Sequence, residues 1–355
     1  MICSEALAAL TVGWCMARQV PFVMIRVMSM QYRALGRTGI EVSEIGFGAW
    51  AIGGSWGEQS DEESIRTLHQ AIDLGVNFID TAQGYGNGRS ERLIAQVLKE
   101  RSDRDRIAVA TKTAPAPGDW PPSPYCDMDE RYSEKYLRKT VEQRLRNLNT
   151  DCLDVLQLHT WTRAWNDEPR PLQTLAKLRD EGKLRFIGVS TPEHDQNSVI
   201  QLMRDGWVDT VQVIYNIFEQ EPAAQVLPVA KQTNTGIIVR VAFDEGALTG
   251  KFTPQTSFPS NDFRSRYFAG DRLQRTVDRV EKVRADIEGS GYTLPQAALR
   301  FALAHPAVST VIAGMRRPWQ AEQNCAVSDL PAMPDELHQT LRKHNWRRAF
   351  WNTGK

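Results

Sequence analysis

Cysteine is sparse and unpatterned in this chain. Cys3, Cys15, Cys126, Cys152 and Cys325 are odd in number, and none falls in a CxxC or CxxH spacing. That argues against a disulfide framework and against a zinc site built on such motifs. Net charge is missing too, because 43 Lys plus Arg balance 43 Asp plus Glu. A broad basic footprint for nucleic acid is thereby disfavoured, although a local anion site is not. No uncharged apolar run reaches the ~18 residues that a membrane span requires. No GxGxxG follows a strand-like run, so a Rossmann dinucleotide turn is not supported. What is present is ordinary for a folded chain: 355 residues, 41 % hydrophobic and 24 % charged. Such a length suits two domains of ~150 residues, or one large α/β barrel with long loops.

Residues 1–29 read differently from the rest. They hold Glu5, Arg18 and Arg26 among many apolar residues, with no helix or strand period. The acid precedes the first base and Gly13-Trp14 breaks the apolar run, which suits a signal peptide poorly. The expectation is a poorly structured extension, with Met28 and Met30 as alternative starts, followed by one domain over residues 30–355. With no convincing export signal and scattered thiols, a cytoplasmic location is expected.

From Tyr32 onward, strand-like and helix-like segments alternate. Tyr32-Arg-Ala-Leu35, the turn Gly36-Arg-Thr-Gly39 and Ile40-Glu-Val42 suggest an opening hairpin. Eight short apolar runs follow, at 45–50, 77–81, 107–112, 153–159, 186–190, 210–216, 237–243 and 310–314. Amphipathic helical patterns separate them. Ile65, Leu68, Ala71 and Ile72 share a face behind the capping candidates Ser60 and Asp61, and Leu93, Ile94, Val97 and Leu98 share another. Eight βα units without a linker favour a (β/α)₈ TIM barrel over an open sheet. Two βα connections are long, from Lys112 to about Ser133 and from Phe243 to about Asp271. Both follow strands, so they belong to the C-terminal face, where barrel active sites are built.

Four polar residues sit at or just past the ends of three successive strands. They are Asp80, Tyr85 five residues later, Lys112 in Val109-Ala-Thr-Lys112, and His159 in Val155-Leu-Gln-Leu-His159. In a barrel these ends converge on one mouth. A phenol titrates near ~10, too high for easy proton traffic at neutral pH. A lysine ammonium beside it would lower that value, and Asp80 would hold the lysine in place. His159 could hydrogen-bond a substrate oxygen. The combination suits protonation of a carbonyl oxygen as hydride reaches its carbon.

At this point the chain resembles the aldo-keto reductases. The resemblance runs from about Tyr32 to about Leu330 and rests on Gly46-Phe-Gly-Ala-Trp50, Gly75-Val-Asn-Phe-Ile-Asp-Thr-Ala82, Tyr85-Gly-Asn-Gly-Arg-Ser-Glu91 and Gly182-Lys-Leu-Arg-Phe-Ile-Gly-Val-Ser190. Leu248-Thr-Gly-Lys251 and the stretch from Ile312 through Asn324 also match. It implies a barrel that reduces aldehydes or ketones to alcohols, reversibly, with NADPH, or NADH as the alternative. Carried over by position, the catalytic tetrad becomes Asp80, Tyr85, Lys112 and His159, with Tyr85 as proton donor.

The barrel itself must then hold the cofactor. Ser190, Thr191 and Gln212 carry side chains suited to a carboxamide, and by resemblance they would hold the nicotinamide amide. Gly314 leads into a helix whose first N–H groups favour anions. Arg316 and Arg317 add charge for a phosphate, and Gln320 and Asn324 share one helical face suited to adenine. The resemblance adds Gly246, Leu248, Gly250 and Lys251 in the loop after the seventh strand. One departure stands out: Arg240-Val-Ala-Phe243 replaces the usual aromatic followed by Ser-Pro-Leu. The Arg240 guanidinium could stack where the aromatic would, or meet a phosphate or substrate carboxylate. Trp50, Trp56, Trp120 and Trp161 fall near strand ends or in mouth loops, as walls for small organic or sugar-like carbonyl compounds.

The expected partner is therefore a small-molecule carbonyl substrate, with no nucleic acid and no membrane, and a monomer is the favoured state. Two other readings compete. One is a redox-sensing NADPH-binding barrel subunit with little turnover. The other is a Schiff-base lyase acting through Lys112, which borohydride trapping would reveal.

Overall fold

The computed structural model describes residues 29–54, 56–346 and 348. The expectation for residues 1–29 thus lies, apart from Ser29, outside the described residues. Strands β1 (Tyr32–Ala34) and β2 (Glu41–Ser43) pair antiparallel as the opening hairpin. Eight parallel strands then close into a barrel: β3 (Ile45–Gly48), β4 (Phe78–Asp80), β5 (Ala108–Thr113), β6 (Leu153–Leu158), β7 (Leu184–Ser190), β8 (Thr210–Ile214), β9 (Gly236–Arg240) and β10 (Val308–Gly314). Each pairs with its sequence neighbours, and β10 closes on β3. Helices fill the connections: α1 (Asp61–Asp73), α2 (Arg89–Lys99), α3 (Met128–Tyr132), α4 (Glu134–Leu148), α5 (Arg170–Asp180) and α6 (Ile200–Arg204). They continue with α7 (Val226–Thr233), α8 (Phe263–Tyr267), α9 (Arg272–Asp286), α10 (Leu294–Leu303), α11 (Pro318–Cys325) and α12 (Asp335–Arg342).

The core has two parts because a barrel strand is covered on both faces. Outward residues such as Val211, Val213, Ile237 and Val239 pack with the helices in one large cluster. Inward residues Phe78, Ala108, Ala110, Val155, Ile238 and Ile312 form a second cluster, joined by Leu35 and Val42 from the hairpin segment. The hairpin thus closes the end of the barrel opposite the strand C-termini. Burial on both faces explains why the strands read as nearly unbroken apolar runs. Helix α1 starts where the Ser60 hydroxyl accepts the Glu63 N–H at 3.1 Å, with three acids in its first turn.

The charged residues Asp80 and Lys112 stand near the C-termini of β4 and β5. Lys112 pairs in register with Gln157, and Gln157 with Gly188. Gly188 is required there, because a Cβ would lie 2.4 Å from Thr210 Oγ1 and 2.9 Å from Gln157 Cγ. Its missing side chain leaves room for the Gln157 side chain, which reaches Asp80.

Candidate functional site

The structure brings Asp80, Tyr85, Lys112 and His159 together at the barrel mouth. Lys112 is buried, with its side chain 1 % exposed. Its ammonium donates to Asp80 Oδ2 at 2.5 Å, to the Thr81 carbonyl at 2.9 Å and to Tyr85 Oη at 3.3 Å. The other carboxylate oxygen of Asp80 accepts from Gln212 Nε2 at 2.7 Å and Gln157 Nε2 at 3.1 Å. With every oxygen occupied, the carboxylate is fixed and the ammonium with it. His159 lies one residue beyond β6, its ring edge-on to Tyr85 at 6.0 Å.

The Tyr85 loop is held from below. After β4, the Gln83 N–H donates to the Lys112 carbonyl at 3.1 Å, so the loop rides over β5. The Ser90 hydroxyl meets Thr81 Oγ1 at 2.9 Å and the Ala49 carbonyl at 3.1 Å. Gly53 packs against the loop so closely that a Cβ would sit 2.7 Å from the Tyr85 carbonyl carbon.

Electrostatics correct one expectation. Lys112 does pull the Tyr85 phenol down, but burial outweighs it, and the net shift is upward. The low-dielectric site disfavours phenolate more than one ammonium, itself paired with Asp80, favours it. Tyr85 therefore rests as a neutral phenol. His159 is held well below its ordinary value by burial, then by Lys112 and Arg240, so it is a neutral imidazole with one N–H to give.

A cavity of about 1000 Å³ opens above this group, and Asp80, Tyr85 and His159 line it. Trp50, Trp56 and Trp120 stand in its wall, with Trp120 edge-on to His159 at 5.2 Å and Trp50 6.3 Å from Tyr85. Trp161 is elsewhere: it is buried against Trp165, with its indole N–H on Asn166 Oδ1 at 2.8 Å. Ser190, Gln212, Arg240, Gly246 and Lys251 line the cavity, and so do Gly314, Arg316, Gln320 and Asn324. Thr191, Leu248, Gly250 and Arg317 do not. The Thr191 hydroxyl is spent on the Gln212 carbonyl at 3.1 Å, and Leu248 is buried in the core. Arg317 points out to Glu63 at 3.9 Å with 60 % exposure. The first N–H groups before α11 are taken by their own helix, since those of Arg316 and Arg317 both donate to Gln320 Oε1, at 2.7 and 3.1 Å.

The donor set fits a nicotinamide dinucleotide. Lys251 and Arg316 supply cationic groups, and Gln212, Gln320 and Asn324 supply amides, among the residues that line the cavity. Arg240 donates to the Thr191 carbonyl at 3.0 Å and to Glu193 at 3.2 Å. Its Nε is buried and has no hydrogen-bond partner among the described residues. Among the described residues no group of three His, Cys, Asp or Glu could hold a metal, and no helix is long and apolar enough to cross a membrane.

Sequence reading missed several wall residues. It also missed Gln157, which does not line the cavity but braces Asp80 from below, and which was detectable as a polar side chain at an inward position of a strand. Phe263, 5.3 Å from Trp50, and Arg264, stacked 4.5 Å over Trp56, lie in the long loop after β9, where no period marks them. Glu193 and Glu245 carried no signal at all. Burial, then the neighbouring Asp244, pushes the Glu245 carboxyl up to about 8. A folded value above the unfolded one means that stability is full below ~4.3 and is lost as pH rises towards the folded value. Glu245→Gln should therefore raise the melting temperature at pH 8 and change it little at pH 5. Equal shifts at both pH values would refute this account.

Comparison with known proteins agrees with this geometry. The model of the Aldo/keto reductase family matches residues 44–345. Aldo-keto reductase YhdN of Bacillus subtilis (strain 168) is 33% identical over 306 residues, covering 82% of this chain and 87% of that protein. Among solved structures, the glycerol dehydrogenase of Gluconobacter oxydans is 28% identical with a TM-score of 0.71, over 88% of this chain and 94% of that one. The holo form of an aldo-keto reductase from Bacillus halodurans superposes with a TM-score of 0.72 at 24% identity, over 92% of this chain and 100% of that one, and supports the fold.

Proposed function

The chain belongs to the aldo/keto reductase family, a family of oxidoreductases, and from that premise we propose that it reduces aldehydes or ketones to alcohols with NADPH, reversibly, using Tyr85 as proton donor. The observation that carries this reading is the Lys112 ammonium 3.3 Å from the Oη of Tyr85, a residue that lines the cavity together with His159.

The bound nicotinamide supplies a hydride to the carbonyl carbon. This chain's residues do the rest. His159, as a neutral imidazole, donates its N–H to the carbonyl oxygen and orients it. Tyr85 keeps its proton until negative charge builds on that oxygen, then transfers it from Oη. Lys112 stabilises the phenolate left behind, and Asp80 fixes Lys112. Ser190 and Gln212 would hold the carboxamide, with Arg240 against the nicotinamide ring. Lys251, Gly246 and Arg316 would take the phosphates, and Gln320 and Asn324 the adenine. The extra phosphate of NADPH favours it over NADH at a wall that carries Lys251 and Arg316. Aromatic walls at Trp50, Trp56 and Trp120 suit apolar or flat carbonyl compounds.

A panel of aldehydes, ketones and alcohols, followed by NADPH and NADH absorbance, tests the reading. Turnover is expected with kcat/KM at least about tenfold higher for NADPH, a difference of ~1.4 kcal/mol. Equal use of NADH would overturn the cofactor assignment. Tight NADPH binding with negligible turnover across the panel would favour the redox-sensing subunit instead.

A further inference from the structure

The end of the described chain folds back onto the barrel. The Trp346 N–H donates to the Phe218 carbonyl at 2.8 Å, and its ring stands edge-on to Phe218 at 6.0 Å. The Arg279 guanidinium lies 4.3 Å from the Trp346 ring centroid. Two residues later Arg348 turns inward. Its guanidinium grips Asp244 with two nitrogens, one of them 3.0 Å from Oδ2. The pair is fully enclosed, with side chains 1 % and 0 % exposed. The Tyr267 hydroxyl, 3.4 Å away, donates to the same carboxylate.

Asp244 is the first residue of the turn that carries the cavity wall. Asp244, Glu245 and Gly246 have φ of 50°, 55° and 95°, and Val241 just before them has φ of 59°. Left-handed backbone is strained for non-glycine residues, most of all for a β-branched one. The turn's own bonds, Asp244 N–H to the Val241 carbonyl at 2.9 Å and Leu248 N–H to the Phe243 carbonyl at 3.0 Å, close it locally. They do not tie it to another element. Asn216 Nδ2 anchors its start by donating to the Val241 carbonyl at 2.8 Å, and the Asp244 carboxylate itself is held by Tyr267 and, most closely, by Arg348. Arg348 reaches it from a part of the chain 104 residues away. Strained turns persist where the surroundings over-determine them.

We propose that Arg348 is a positioning residue for cofactor binding. By clamping Asp244 it holds the left-handed turn at 244–246 and so sets Glu245, Gly246 and Lys251 in the cavity wall. The C-terminal segment thereby acts on dinucleotide affinity without lining the cavity. This rests on the reading of the cavity as a nicotinamide-cofactor site.

The test uses the full chain carrying Arg348→Met or Arg348→Lys. NADPH affinity is measured by quenching of intrinsic fluorescence, alongside steady-state kinetics and thermal melts. Arg348→Met is expected to raise the Kd and KM for NADPH about tenfold or more. Arg348→Lys should recover part of that loss. The carbonyl KM should hold, so the defect reads in cofactor binding rather than in substrate binding. If Arg348→Met does not fold, Asp244→Asn combined with Arg348→Gln removes both charges together and strands neither. That double variant should fold and still bind NADPH about tenfold more weakly. A folded variant with wild-type Kd, whatever its melting temperature, overturns the proposal. A wild-type chain that binds neither NADPH nor NADH overturns the proposed function, and this inference with it.

Discussion

Tyr85→Phe is expected to lower kcat for carbonyl reduction by ~10²–10⁴-fold while leaving NADPH binding close to wild type. The substitution removes one hydroxyl and keeps the ring that packs against Trp50 and His159. Lys112 retains Asp80 and the Thr81 carbonyl, so no buried charge is stranded. What is lost is the proton that must reach the carbonyl oxygen. Because burial holds the phenol above its ordinary value, reduction by the wild type should show no loss of its acid until the pH is strongly alkaline. In the variant, the residual rate should fall with the hydronium concentration or depend on added buffer acids. Fluorescence titration with NADPH and a pH–rate profile would settle the matter. Near-normal turnover in Tyr85→Phe would remove Tyr85 from the acid role.

The fold was legible in the sequence because a barrel strand writes itself twice. It is a short apolar run, and it is followed by a helix with a 3.6-residue period. The run at 45–50 and strand β3 (Ile45–Gly48) differ only at the trailing end, and β10 (Val308–Gly314) begins two residues before the expected 310. The polar group at the mouth was legible for a related reason. Asp80 and Lys112 are charged side chains at strand ends whose other inward residues are apolar. Two things stayed hidden. The balance of burial against Lys112 at Tyr85 depends on how much water the loops exclude, and no motif encodes that. The roles of Glu245, Arg264 and Arg348 depend on a long aperiodic loop returning to the barrel and on Trp346 and Arg348 meeting it. Residues 104 apart, such as Asp244 and Arg348, announce nothing locally.

Lys112→Met should damage stability and catalysis together, and the two losses can be separated. Removing the ammonium leaves the Asp80 carboxylate, 2 % exposed, with only the amides of Gln157 and Gln212. Breaking a buried ion pair at one partner typically costs ~3–5 kcal/mol, because the remaining charge is uncompensated. Adding Asp80→Asn removes the stranded charge, and the double variant should regain most of the lost stability. It should regain none of the turnover, because nothing then stabilises the Tyr85 phenolate as the proton leaves. A double variant that recovers both would mean that Lys112 serves the fold alone. Recovery of neither would mean that the site needs the ion pair for its shape, beyond its charge.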